Sequence, residues 1–381
     1  IPYLESIRSC KMAAEGATSR FVQSFLFCFL HCYMTTRPIH IVGGGVGGLA
    51  LGIRLRQLDV KTRISESGTY PRHRVCGEFI SGRGVKLLRE LGVFDAFLGG
   101  GGKLAETMKF FGTRAMSPVI RMPQPAFCIS RYAMDRIMSD QFKSMGGELC
   151  TGLRVASEKL RDEGTVLANG RKPNTEKHAT WTGYKFHVQG LKLEADLEMH
   201  FNNGGYLGMC AVEKDWVNVC GLMPSKHVTG LNLRSQWKGF LRSNLHPKKH
   251  QALETIEMME GSICFVSGIS YNTHQLKRTD PLVRVGDRMS TIPPLTGNGM
   301  SLAIESAWLA SEPIAQYASS KNNWTEMTES LTGLQSRYFQ KRLAVSIPLQ
   351  SLLMAQKMHG IREFMIKHLS CFHQTLFRLT R

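Results

Sequence analysis

Acidic residues are scarce in this chain. Thirty Asp and Glu stand against 48 Lys and Arg, which leaves a formal net charge of +18 over 381 residues. No nucleic-acid recognition motif accompanies that excess, and few aromatics interleave with the basic runs, so nucleic-acid binding is not expected. Paired cysteine spacings are missing too. The ten cysteines include no short-spaced cluster, Cys28 and Cys32 being the nearest two. This excludes a disulfide scaffold and a structural zinc site, so no metal is expected, and reduced thiols point to a cytoplasmic protein. Long apolar runs are absent as well: the stretch from Phe21 to Tyr33 is broken by Gln23, Ser24 and His31, too short a run for a membrane-spanning helix. What remains, at 43% hydrophobic with no low-complexity tract, is an ordered globular chain long enough for two or three domains.

The most informative segment is Ile39 to Gly48, Ile-His-Ile-Val-Gly-Gly-Gly-Val-Gly-Gly. A short apolar strand runs into a glycine turn, and Glu66 follows at the end of the next apolar run. In this dinucleotide-binding fingerprint Gly43 permits a tight turn, Gly45 lets backbone approach a pyrophosphate, and Gly48 lets the following helix pack close to the strand, with Gly47 beside it in the same turn. The helix Val46 to Gln57 would aim its N-terminal N–H groups at the phosphates. Glu66 would accept hydrogen bonds from the adenosine ribose.

Far downstream, Val283 to Ala307 ends an apolar run at Gly286-Asp287. It then passes through a Pro/Gly loop into a helix beginning near Gly299 and Met300. This resembles the second FAD fingerprint of flavoprotein hydroxylases and geranylgeranyl reductases. The resemblance implies that Asp287 binds the ribityl chain and that the loop with Pro294, Gly297 and Asn298 lies along the isoalloxazine edge. It also implies that the helix N-terminus stabilises negative charge on the reduced flavin. Tyr70 to Ser81 resembles the segment in which an Arg, then Cys-Gly, line the flavin and substrate; Arg74, Cys76 and Gly77 match it. Arg131, in Ile129-Ser130-Arg131, matches an arginine that reaches FAD. Asn203 to Leu222 resembles the strands roofing the substrate in the reductase branch, with Tyr206 as a candidate proton donor beside Cys76.

The resemblance spans about residues 37 to 342 and places the chain nearer the geranylgeranyl-reductase-like branch. It implies a Rossmann-type FAD-binding domain with a mixed antiparallel substrate sheet and C-terminal helices, an α/β fold with an α+β insert. NADPH or NADH would reduce the flavin, which would then reduce a C=C bond of an apolar prenyl- or polyketide-like substrate. Two alternatives stay open: hydroxylation of an aromatic or polyketide substrate through a C4a-hydroperoxide, and a non-catalytic flavin-binding accessory protein. Two departures bear on these. The Asp-Gly motif of the hydroxylases is replaced by Ala168-Asn169-Gly170, and no two tryptophans lie two apart, so the Trp-x-Trp-x-Ile-Pro signature of halogenases is missing and halogenation is not expected.

The expected FAD-binding domain is assembled from residues 36–95, 128–180 and 262–325, with 96–127 and 181–261 forming the cavity roof and 326–381 a helical segment. Residues 1–33 are expected to be an extension outside the fold, because Met34 leads directly into the first strand. In the tail, Leu349, Leu352, Leu353, Ala355 and Met358 alternate helically with Lys357, Arg362 and Lys367. That pattern would suit peripheral contact with a membrane carrying a lipid-like substrate.

Overall fold

The computed structural model describes residues 37–171, 181–202, 204–228, 230, 232–269, 280–290, 293 and 299–368. In chain order, β1 (Ile39–Val42), α1 (Val46–Gln57) and β2 (Thr62–Ser65) open the fold. They are followed by β3 (Phe79–Ile80), α2 (Arg83–Glu90), α3 (Phe94–Gly99), β4 (Lys103–Phe111) and β5 (Ile120–Cys128). Next come α4 (Arg131–Ser144), β6 (Glu148–Cys150) and β7 (Thr165–Leu167), then four long strands, β8 (Trp181–Gln189), β9 (Leu197–Asn202), β10 (Gly205–Ala211) and β11 (Val217–Pro224). The chain continues through α5 (Leu233–Asn244), β12 (Glu257–Met258), β13 (Cys264–Ile269) and β14 (Val283–Arg284) to α6 (Gly299–Ala318), α7 (Trp324–Met354) and α8 (His359–His368).

Two sheets organise these elements. The first is parallel, in the order β14-β7-β1-β2-β6, the Rossmann-like sheet expected from the sequence. Its strands are short, and the central β1 and β7 are almost wholly buried, as strands covered by helices are. Ile39, Ile41, Ile64 and Val166 are at most 1% exposed, and they share one core with Leu49 and Ile53 of α1 and Ile304 and Ala307 of α6. The second sheet runs β12-β8-β11-β10-β9-β4-β5-β3, with β13 also paired to β8. It is antiparallel apart from the β4–β9 pair, which makes it mixed. The chain leaves the parallel sheet for β3–β5, returns to it at β6 and β7, and after β8–β13 rejoins it at β14.

The register of the second sheet gives it two unlike faces. Tyr184, Phe186 and Val188 alternate with Gly183, Lys185 and His187 along β8. The first set packs under Phe240 and Leu241 of α5 in an apolar core. The second set shares its face with β11 and β10 in three rows. Gly183 lies opposite Leu222 and then Tyr206, Lys185 opposite Cys220 and then Gly208, and His187 opposite Asn218 and then Cys210. This near face looks toward residues 75–78.

The tail departs from a continuous amphipathic helix. α7 ends at Met354, Ala355 is extended, and α8 begins at His359. Leu353 and Met354 are buried while Leu352 is exposed. Met354 and Ile366 of α8 cover Met199, Phe201, Tyr206 and Leu222. No helix among the described residues is long and apolar enough to cross a membrane. The expected extension 1–33 lies outside the described residues.

Candidate flavin site

The first fingerprint folds as the physics of its glycines demands. Gly43 has φ +109, and a Cβ there would lie 2.5 Å from the Ala168 carbonyl oxygen. A Cβ on Gly48 would lie 1.9 Å from the Gly43 oxygen. Gly45 is the N-cap of α1 and supplies no side chain to it, and the first turn holds no acidic residue. The amides at that end are therefore open to an anion. The guanidinium of Arg131 stands 4.0 Å from where a Gly45 Cβ would be. It is held by Asp135 through Nε and Nη2 at 2.8 and 2.7 Å, a charge-assisted fork on one helical turn. Burial alone would lower its affinity for a proton, and Asp135 more than reverses that.

The two fingerprints meet, as a shared cofactor requires. A Cβ at Gly47 would lie 3.6 Å from the Gly286 Cα and 3.4 Å from the Ala303 oxygen of α6. Gly286, at φ +62, donates its N–H to Ser306 Oγ at 2.8 Å, which fixes the turn against α6. Asp287 is solvent-accessible yet crowded by protein. Crowding pushes its carboxyl up, against the pull of Arg131 and Arg171. Met300 is buried in the first turn of α6, and Gly299 opens it. Pro294, Gly297 and Asn298 lie outside the described residues.

Glu66 carries more than the sequence suggests. Its Oε2 accepts the Gly44 N–H at 2.7 Å, and Oε1 accepts from Ser67, Gly68 and Arg72 at 3.2, 2.8 and 2.8 Å. Burial alone would raise this carboxyl, but Arg72 and the two backbone N–H groups bring it down to about 2. One lone pair of Oε2 is left for a ribose hydroxyl. Tyr70 donates its hydroxyl to the Gly44 carbonyl. Sequence reasoning missed Arg72 and Tyr70, although both lie in the Tyr70–Ser81 segment. Arg74 is half exposed, 4.0 Å from Glu66 Oε1.

Cys76 and Gly77 face this same place. Cys76 Sγ accepts the Glu78 N–H at 3.4 Å and contacts the Arg131 guanidinium. Burial pushes its thiol up, so it stays protonated. A Cβ on Gly77 would meet nothing within 4 Å among the described residues. Tyr206, 6% exposed, lies in the apolar row of the near face. The Cys220–Gly208 row lies between the row of Tyr206 and that of Asn218, which donates to the Cys76 carbonyl at 3.1 Å. Sequence reasoning also missed a cluster of three buried residues, Glu78, Lys185 and His187, with the half-buried His73 beside them.

No protein-family model matches the sequence, and no characterised protein matches it at the sequence level. Solved structures do match. The flavin-dependent brominase Bmp2 is 15% identical with a TM-score of 0.72, covering 90% of this chain and 92% of its own. The flavin-dependent halogenase CmlS is 17% identical with a TM-score of 0.69, covering 92% and 68%. PqsL, a probable FAD-dependent monooxygenase from Pseudomonas aeruginosa, is 13% identical with a TM-score of 0.67, covering 86% and 100%. The architecture is thus that of flavin-dependent halogenases and monooxygenases, an FAD-dependent oxidoreductase fold.

These likenesses overturn two expectations. The assignment to the geranylgeranyl-reductase-like branch gives way to the halogenase and monooxygenase fold, and with it goes C=C reduction as the main reading. The physical reason lies in the motifs that carried them. Arg74, Cys76 and Gly77 lie close to Glu66 and Arg131, in the part of the fold that different flavin chemistries share, and Tyr206 is one aromatic of an apolar row. Neither discriminates between reactions. The missing tryptophan pair likewise no longer excludes halogen transfer.

Proposed function

We propose that this protein is an FAD-dependent monooxygenase acting on a small aromatic or polyketide-like substrate. The close approach of Gly47 to Gly286, which joins both fingerprints near Arg131, carries the FAD part of the reading, and the likeness of the fold to flavin-dependent halogenases and monooxygenases supports the oxygenation part. The residues fit FAD: an uncapped helix N-terminus for the pyrophosphate, Arg131 beside it, a free lone pair on Glu66, and Asp287 for the ribityl chain. When bound, FAD supplies two-electron storage and activation of oxygen.

The chain's own residues do the rest. The α1 amides and Arg131 neutralise phosphate charge, with Arg74 at the exposed rim. The start of α6, at Gly299 and Met300, would supply positive dipole to a bound flavin, which is negative when reduced. Leu222, Tyr206 and Phe201, closed over by Met354 and Ile366, form an apolar layer that keeps water from that side of the sheet. Cys76, held as a thiol, serves as a neutral hydrogen-bonding group and not as a nucleophile. NADPH or NADH is the proposed electron source, used transiently. The basic tail is compatible with contact at a membrane surface.

An anaerobic titration of the purified protein with NADPH and then NADH, followed by air and a panel of phenolic and polyketide substrates with and without bromide, tests this. Bleaching of the flavin bands and an oxygenated product are expected. Brominated product instead would assign the halogenase chemistry, and a protein that takes up no flavin would refute the reading.

A further inference from the structure

Glu78 lies one residue beyond Gly77, at φ +53, and is fully buried. A fully buried carboxylate survives only if its oxygens are all but saturated. Here Oε1 accepts the Arg131 backbone N–H at 2.9 Å and lies 3.1 Å from Lys185 Nζ, while Oε2 is 2.6 Å from His187 Nε2. Burial alone would raise this carboxyl, but the Lys185 ammonium and the His187 hydrogen bond hold it below the usual range. Lys185, equally buried, lies 3.0 Å from His73 Nδ1. Burial and the neighbouring ammonium bring His73 down to about 4, so its Nδ1 is a lone pair accepting from the lysine. The His73 ring stacks on Tyr132 at 4.9 Å.

The cluster ends a systematic grip. The sheet holds each of residues 76, 77 and 78 through the near face. Asn218 donates to the Cys76 carbonyl at 3.1 Å, Cys210 Sγ to the Gly77 carbonyl at 3.4 Å, and Lys185 and His187 engage the Glu78 side chain. Glu78 then reaches across to the first residue of α4, whose guanidinium faces Gly45. One side chain therefore ties together the flavin-side loop, the arginine helix and the substrate sheet.

We propose that Glu78 is the positioning residue of the reaction centre, setting the distance between the Cys76–Gly77 backbone, Arg131 and the near face, with Lys185 as its charge partner. The proposal rests on the flavin reading of the site. A mere fold-stabilising pair would look the same in a static structure, but it differs in one respect. Buried ion pairs replaced by neutral groups of similar volume are often as stable as the original. If stability were the whole role, removing both charges would cost nothing further.

The experiment uses purified holoprotein of the wild type, Glu78→Gln, Lys185→Met and the double variant. Thermal midpoint, FAD affinity, the visible flavin spectrum, kcat and KM are read for each. Both single variants should lose thermal stability, because each strands one buried charge, and the double variant should recover most of it. Its flavin band should nonetheless shift, its FAD affinity weaken and kcat fall about tenfold, with KM within about twofold of wild type. A double variant with wild-type spectrum, FAD affinity and kcat would overturn the proposal. Should the double variant fail to fold, Glu78→Asp keeps the charge and withdraws it by one methylene; an unchanged flavin spectrum and kcat there would also overturn it. Failure of flavin uptake by the wild type is seen before any variant is made, so it is distinguished as failure of the functional reading.

Discussion

Two glycines separate the kinds of constraint that act on single residues. Gly48 sits where a Cβ would come within 1.9 Å of a backbone oxygen, and backbone cannot swing aside as a flexible side-chain tip does. Gly48→Ala should destabilise the fold by about 1–3 kcal/mol and reduce bound FAD, checked by urea denaturation and flavin absorbance. Gly239 lies inside α5, exposed, with nothing within 4 Å of its Cβ position among the described residues. There Gly239→Ala removes a helix penalty without a clash and should stabilise by about 0.5–1 kcal/mol in the same assay. The first of these roles is readable from sequence because the fingerprint fixes it. Glu78 is different: its neighbours Lys185 and His187 arrive from more than a hundred positions away in the sequence, and no local spacing announces them.

At the scale of elements, α8 is held by one carboxylate. Glu363 accepts the backbone N–H groups of Thr113, Arg114 and Ala115 at 2.7, 3.1 and 2.7 Å, and Gly112 leaves room for it. Burial opposes its charge, but those three amides hold the carboxyl below the usual range. Glu363→Ala should release α8 from the β4–β5 turn. Hydrogen exchange in residues 359–368 should then accelerate while α1 stays protected. Protection unchanged in α8 would show that Ile366 and Met354 hold the helix without the carboxylate. Some elements were legible: β1, α1 and β2 lie where the apolar runs and the glycine turn place them, and β10 and β11 lie within the segment whose resemblance implied paired strands. The tail was not, because its apolar stripe continues through Ala355 while the backbone breaks there, and only packing against the sheet decides where the stripe is cut. Nor could the motifs name the chemistry, because flavoenzymes of different reactions share the cradle they build.

For the whole molecule, ionisation and folding are coupled in one direction. Burial keeps His73 neutral down to about 4 from an ordinary 6.5, so the unfolded chain takes up that proton first and stability falls as pH drops from 6.5 toward 4. Glu66, held at about 2 against an ordinary 4.5, contributes stability that is present above 4.5 and lost as pH falls toward 2. Protonation of carboxylates also adds to a net charge already at +18. The thermal midpoint measured at fixed ionic strength should therefore begin to fall below about pH 6.5 and fall again below about 4.5; a flat profile from pH 7 to 4 would refute the half-buried, neutral His73. The parallel sheet has a consequence of another kind. Its edge strand β14 pairs Val283 with Val166, and α6, which covers α1, comes later still. A ribosome making this chain has therefore released the entire mixed sheet before α1 receives its cover. Throughout that interval the nascent chain carries an open apolar face, and this is the stage of its life at which chaperones have most to do.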